Sequence, residues 1–107
     1  MARHADEVVE TEVTAAGYLR LPPEFCRTHF PHDRCTGLRT EQGFMLFPAS
    51  VYAPAALIMK QRTLAGERSI LIREVWGDDH PVGEFPATWQ GARRRLLIAN
   101  PEGPAHA

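Results

Sequence analysis

The sequence predicts a small α+β domain dominated by β structure, with two N-terminal hairpins, a short helix, a middle helix and C-terminal strands. Three observations carry that prediction. The chain has 107 residues, 44% of them hydrophobic, which is near the commonest single-domain size and too short for two independent cores. Apolar and polar residues alternate in several short runs, the period of half-buried strands. Gly and Pro clusters divide those runs at short intervals. A single domain over 1–107 follows, with 1–6 and 100–107 expected to be flexible because neither end holds an apolar run.

Val8 to Thr14 is rich in β-branched residues and stops at Ala15-Ala16-Gly17, as a strand running into a turn does. Tyr18 to Leu21 alternates again until Pro22-Pro23, which cannot donate to a ladder, so the two runs form a hairpin. Pro23 suits the first turn of a helix, and Glu24 to His29 gives one or two turns before Pro31. Leu38 to Thr40 and Phe44 to Phe47 flank Glu41-Gln42-Gly43, a second hairpin. Ser50 to Leu64 has helix punctuation: a capping Ser, Pro54 early, Lys60 and Arg62 late, Gly66 beyond. Leu57, Ile58, Leu64 and Ala65 fall on one helical face. Arg68 to Trp76 is expected to be a central strand, since Ile70, Ile72 and Trp76 alternate with Leu71, Arg73 and Val75. Gly77 to Pro81 is a turn cluster and Arg94 to Ala99 a last strand. No internal repeat or low-complexity segment is evident.

Charge excludes some functions. Twelve Lys and Arg against thirteen Asp and Glu give a net charge of −1, so no global field draws in nucleic acid or an anionic membrane. The start is charged where a signal peptide needs an apolar run, and no stretch approaches the ~20 apolar residues of a membrane span. These features predict a cytoplasmic protein without membrane contact, in which Cys26 and Cys35 are reduced thiols.

The segment Val13 to Pro48 adds a resemblance. Val13-Thr14-Ala15-Ala16-Gly17-Tyr18-Leu19-Arg20-Leu21-Pro22-Pro23-Glu24-Phe25-Cys26-Arg27, followed by Leu38-Arg39-Thr40-Glu41-Gln42-Gly43-Phe44-Met45-Leu46-Phe47-Pro48, resembles the swapped-hairpin family of bacterial regulators. That family includes AbrB, MraZ and antitoxins of the MazE type. The resemblance implies a homodimer of interleaved hairpins that binds DNA as a transcriptional regulator or antitoxin, with a protein partner in the latter case. Where the family places Arg directly after the glycine, this chain has Tyr18. Arg20, Arg27 and Arg39 are then the candidate nucleic-acid contacts, because phosphate contacts come mainly from Arg and Lys. Unpaired hairpin edges are a separate reason to expect a dimer.

A rival reading comes from Cys26, His29, His32 and Cys35, two thiols and two imidazoles spaced by three. Four N or S ligands are what zinc needs, so a small metal-binding or accessory protein acting through protein contacts is the alternative. The competing view of the same residues is a core thiol with surface histidines. No catalytic residue is assigned. A Cys-His pair is chemically conceivable, but no oxyanion-hole motif or glycine-rich phosphate loop accompanies it, and Asp78-Asp79-His80 is accounted for by a turn. Trp76 and Trp89 are expected to anchor the core.

Overall fold

The computed structural model describes residues 5–52 and 56–99. The ends expected to be flexible lie outside the described residues except for positions 5 and 6, and Asp6 accepts the Gly91 N–H at 3.1 Å. The elements run β1 (Glu7–Val13), β2 (Tyr18–Leu21), α1 (Pro23–His29), β3 (Arg34–Thr40), β4 (Gly43–Pro48), β5 (Leu57–Ile58), β6 (Lys60–Gln61), β7 (Arg68–Leu71), α2 (Arg73–Trp76), β8 (Gly83–Gln90) and β9 (Arg95–Ala99).

The nine strands of the described residues belong to one sheet, in the order β5-β3-β4-β9-β8-β1-β2-β7-β6, and every neighbouring pair is antiparallel. The two ends of that order are consecutive in the chain. Leu57 and Ile58 pair with β3, Lys60 and Gln61 pair with β7, and the residue between them is Met59, which is buried. One bent segment therefore serves both edges and rolls the sheet into a nearly closed barrel, the arrangement that removes exposed strand edges.

The barrel is internally duplicated, which corrects the expectation of no internal repeat: the halves share topology while their sequences match visibly only at one turn. With β5 and β6 taken as one bent strand, the order β-β-α-β-β occurs twice, as β1-β2-α1-β3-β4 and as β5/β6-β7-α2-β8-β9. The pairings are unchanged when the halves are exchanged. Each half has its own two hairpins, β2 pairs with its counterpart β7, β4 with its counterpart β9, and the β1·β8 contact is matched by β5·β3. The halves are interleaved, since each first strand pairs with the third strand of the other half. The turns also correspond: in Thr14-Ala15-Ala16-Gly17 and Thr63-Leu64-Ala65-Gly66 the Gly N–H donates to the Thr carbonyl, at 2.9 and 3.0 Å, with φ of 94° and 103° at the glycines. Positive φ is why glycine stands there.

Inward-pointing residues of alternate positions fill the barrel, among them Val9, Val13, Leu19, Leu21, Phe44, Leu46, Ile70, Leu96 and Ile98. The helices add aromatic side chains to this core. Phe25 and Phe30, within and just after α1, pack edge-on to Trp89 near the end of β8, at 5.7 and 5.8 Å between ring centres. Trp76 of α2 stacks on Phe44 near the start of β4 at 5.1 Å. Both tryptophans are buried, as expected of core anchors.

Both predicted hairpins, the short helix and the last strand are present. Two assignments are corrected. The helix expected over Ser50 to Leu64 does not form among its described residues, which hold β5, β6 and turns; residues 53–55 lie outside the description. The helical-face match was coincidental: Ile58 and Leu64 are exposed, while Leu57 and Met59, two apart, face the core. The strand expected over Arg68 to Trp76 ends at Leu71. There the chain turns into α2, with the N–H groups of Ile72 and Arg73 both donated to the Gly17 carbonyl, at 3.0 and 3.3 Å. Ile70, Ile72 and Trp76 are all buried, but Trp76 reaches the core from a helix rather than from a strand. β8 was not anticipated. Its Pro86 sits opposite Glu10 of β1, and β9 pairs with β8 only over Thr88 to Gln90, so this proline has a strand on one side alone.

Candidate nucleic-acid interface

The three arginines named from the sequence have different surroundings. Arg20, on the outer face of β2, bonds Glu12 Oε1 at 3.2 Å and Glu67 Oε1 at 2.5 Å. Hydrogen bonding to Glu67 is the main reason its guanidinium is held above its ordinary pKa. Arg39, near the end of β3, grips Asp79 through both oxygens at 3.0 and 2.7 Å and donates to the Trp76 carbonyl at 2.6 Å. That hydrogen bonding raises Arg39 and depresses the Asp79 carboxyl. Arg27 is exposed on α1, with its guanidinium beside Gly66. Arg20 and Arg27 thus meet at the turn between β6 and β7, whereas Arg39 fastens the Gly77 to His80 turn and shares no partner with them.

The Cys/His segment is divided between core and surface. Cys26 and Cys35 are free, buried thiols. Burial pushes each up to about 12, which suppresses the thiolate that nucleophilic attack requires. His29 stacks on Trp89 with ring centres 4.2 Å apart and lies 3.2 Å from Glu7 Oε1. His32 follows α1 in the turn before β3. Among the described residues no group of three or more His, Cys, Asp or Glu side chains is placed to hold a metal ion. Among the same residues no helix is long and apolar enough to cross a membrane.

Other cations, on which the sequence reading placed no weight, define a more organised surface. Opposed residues in an antiparallel ladder share a face, so Glu84, Glu12, Arg20, Ser69 and Lys60 form one row across β8, β1, β2, β7 and β6. Arg62, two residues beyond Lys60, donates Nε–H to Ser69 Oγ at 2.6 Å and lies 5.1 Å over the Tyr18 ring. Two adjoining clefts share Tyr18 and Ser69 as floor: Thr14, Arg20 and Arg62 line one, and Lys60, Leu71 and Glu74 are among those lining the other. Arg93 and Arg94 are exposed at the tip of the β8–β9 hairpin, with Arg94 at φ 53°, while Arg95 turns back to Gln90 Oε1 at 2.6 Å. The signal for this surface was present in the sequence as the repeated Thr-x-Ala-Gly turn, which places Arg62 in a hairpin rather than a helix.

No protein-family model, curated protein or solved structure matches this chain.

Proposed function

We propose that this chain is a non-enzymatic binding module for DNA, acting as a transcriptional regulator or antitoxin, in which one polypeptide supplies both halves of an interleaved hairpin pair. The observation that carries the reading is the exchange symmetry of the strand pairings. Two hairpin units interleave as the resembled family's protomers do, but the second unit is residues 57–99 of the same chain. A duplex presents approximate two-fold symmetry to its ligands, and a two-fold protein matches it without needing a second chain. Binding of a labelled duplex at low salt, weakening as salt rises, supports this function; no binding at low salt overturns it.

One observation favours a second reading, a module that works through protein contacts. Leu38, Met45, Leu97, Thr88 and Val8 form an outer row across β3, β4, β9, β8 and β1, with Leu38 51% and Val8 68% exposed. Most strands already have partners within the chain, so the homodimer of this reading forms through the outer row. Light scattering of the wild type and of Leu38→Glu tests it: a dimer that the substitution dissociates supports the reading, and a wild-type monomer at micromolar concentration removes it.

A further inference from the structure

We infer that the phosphodiester backbone seats in the groove over β2, β7 and β6, where Lys60 and Arg62 contact phosphates above a floor of Tyr18 and Ser69. The inference rests on the DNA-binding function proposed above and assigns its contact surface. It differs from the assignment made from the sequence, in which Arg20, Arg27 and Arg39 carry the affinity.

The first argument is electrostatic. Arg20 and Arg39 already hold carboxylates at 2.5 to 3.2 Å, so a phosphate must compete with an intramolecular acid for either. Neither Lys60 nor Arg62 has an ion pair among the described residues. Glu74 is the carboxylate that lines the Lys60 cleft, and the Arg62 cleft has none among its lining residues.

The second argument is preorganisation. Nε–H of Arg62 is anchored on the buried Ser69 hydroxyl, and its guanidinium lies over the Tyr18 ring. Its terminal nitrogens are thereby left to make the forked contact that guanidinium makes with phosphate, at little further cost in side-chain entropy. Lys60 stands opposite Ser69 on the adjacent strand, in the same row as Arg20. Arg93 and Arg94, by contrast, project from a hairpin tip where none of the described clefts holds them.

The third argument is shape. The two clefts, about 240 and 220 Å³, fall below the ~300–1,000 Å³ of pockets that enclose a small molecule. They adjoin each other across Tyr18 and Ser69, which suits a backbone passing over both. They also lie outside the Leu19–Ile70 pair, where the two halves of the chain meet through β2 and β7.

The test is titration of a labelled duplex at several salt concentrations with the wild type, Lys60→Gln, Arg62→Ala, the double variant and Arg93→Ala/Arg94→Ala. Each phosphate contact removed should lower the slope of log affinity against log salt by about one, and the double variant by about two. The Arg93/Arg94 variant should retain the wild-type slope. Lys60 is exposed and holds no side-chain partner among the described residues, so Lys60→Gln remains informative if Arg62→Ala disturbs folding. Wild-type binding with an unchanged slope in Lys60→Gln and the double variant overturns this inference and leaves the proposed function standing. Wild-type binding that Arg93→Ala/Arg94→Ala weakens instead also overturns it. A wild type that does not bind overturns both.

Discussion

Leu19 and Ile70 stand opposite each other across β2 and β7, each with no exposed surface, at the position where the first half of the chain is paired with its counterpart in the second. Because both side chains fill the barrel interior, truncating either leaves a cavity that β2 and β7 share. Leu19→Ala or Ile70→Ala should lower stability by about 2–5 kcal/mol, read as the shift in urea midpoint at unchanged m-value. A loss below about 1 kcal/mol would place the packing centre elsewhere.

The duplication makes a prediction about fragments. Cutting the connection between β4 and β5 leaves each half with strands whose partners lie in the other half. The two fragments, unfolded when separate, are expected to associate one-to-one when mixed and to regain the far-ultraviolet dichroism of the intact chain. Two fragments that fold independently would contradict the interleaved pairing.

Gly17 joins the first hairpin to α2. Its φ is 94°, and a Cβ there would come within 2.5 Å of the Arg73 Cβ. Gly17→Ala therefore combines backbone strain with a collision and should destabilise by roughly 1–3 kcal/mol. Thermal melts would show it, and an unchanged melting temperature would rule out this turn geometry.

The Arg39–Asp79 pair gives the acid limb of stability a defined contributor. Hydrogen bonding to Arg39 depresses the Asp79 carboxyl in the folded state, so its contribution is fully present above the unfolded aspartate pKa and is lost as pH falls through the lower folded value. The wild type should melt above Asp79→Asn near neutrality, and the difference should shrink in acid. Since the pair is exposed, the effect should be small. A difference that grows in acid would have the wrong sign.

The thiols set the alkaline limb. Burial raises Cys26 and Cys35 to about 12, above the unfolded value near ~8.5. The stability linked to them is intact below the unfolded pKa and falls as pH rises toward the folded one. A thiol reagent at neutral pH should label both cysteines only at the rate at which the chain opens, and fast stoichiometric labelling of native protein would contradict their burial.

The sequence by itself determined the local pieces. Alternation and Pro/Gly punctuation define the two N-terminal hairpins, α1 and the last strand, because a period of two or a proline stop is a property of neighbouring residues. The alternation of Ile70 and Ile72 was legible for the same reason, though the strand it implied ends at Leu71. Tertiary structure decided the remainder. Leu57 and Met59 are strand residues because β3 and β7 lie on either side of them, and no feature within Ser50 to Leu64 records those partners. Pro86 is tolerated in β8 because β9 stops short of it. The cations Arg20 and Arg39 were visible as charges, but Glu67 and Asp79, 47 and 40 positions away, determine how free they are. Arg62 is anchored on Ser69 and lies over Tyr18, which only the pairing of β2 with β7 brings together. The Thr-x-Ala-Gly turns were a local trace of the duplication, but its pairing is non-local: strands satisfy their hydrogen bonds with partners distant in sequence, and a one-dimensional pattern records the need for a partner without saying which strand fills it.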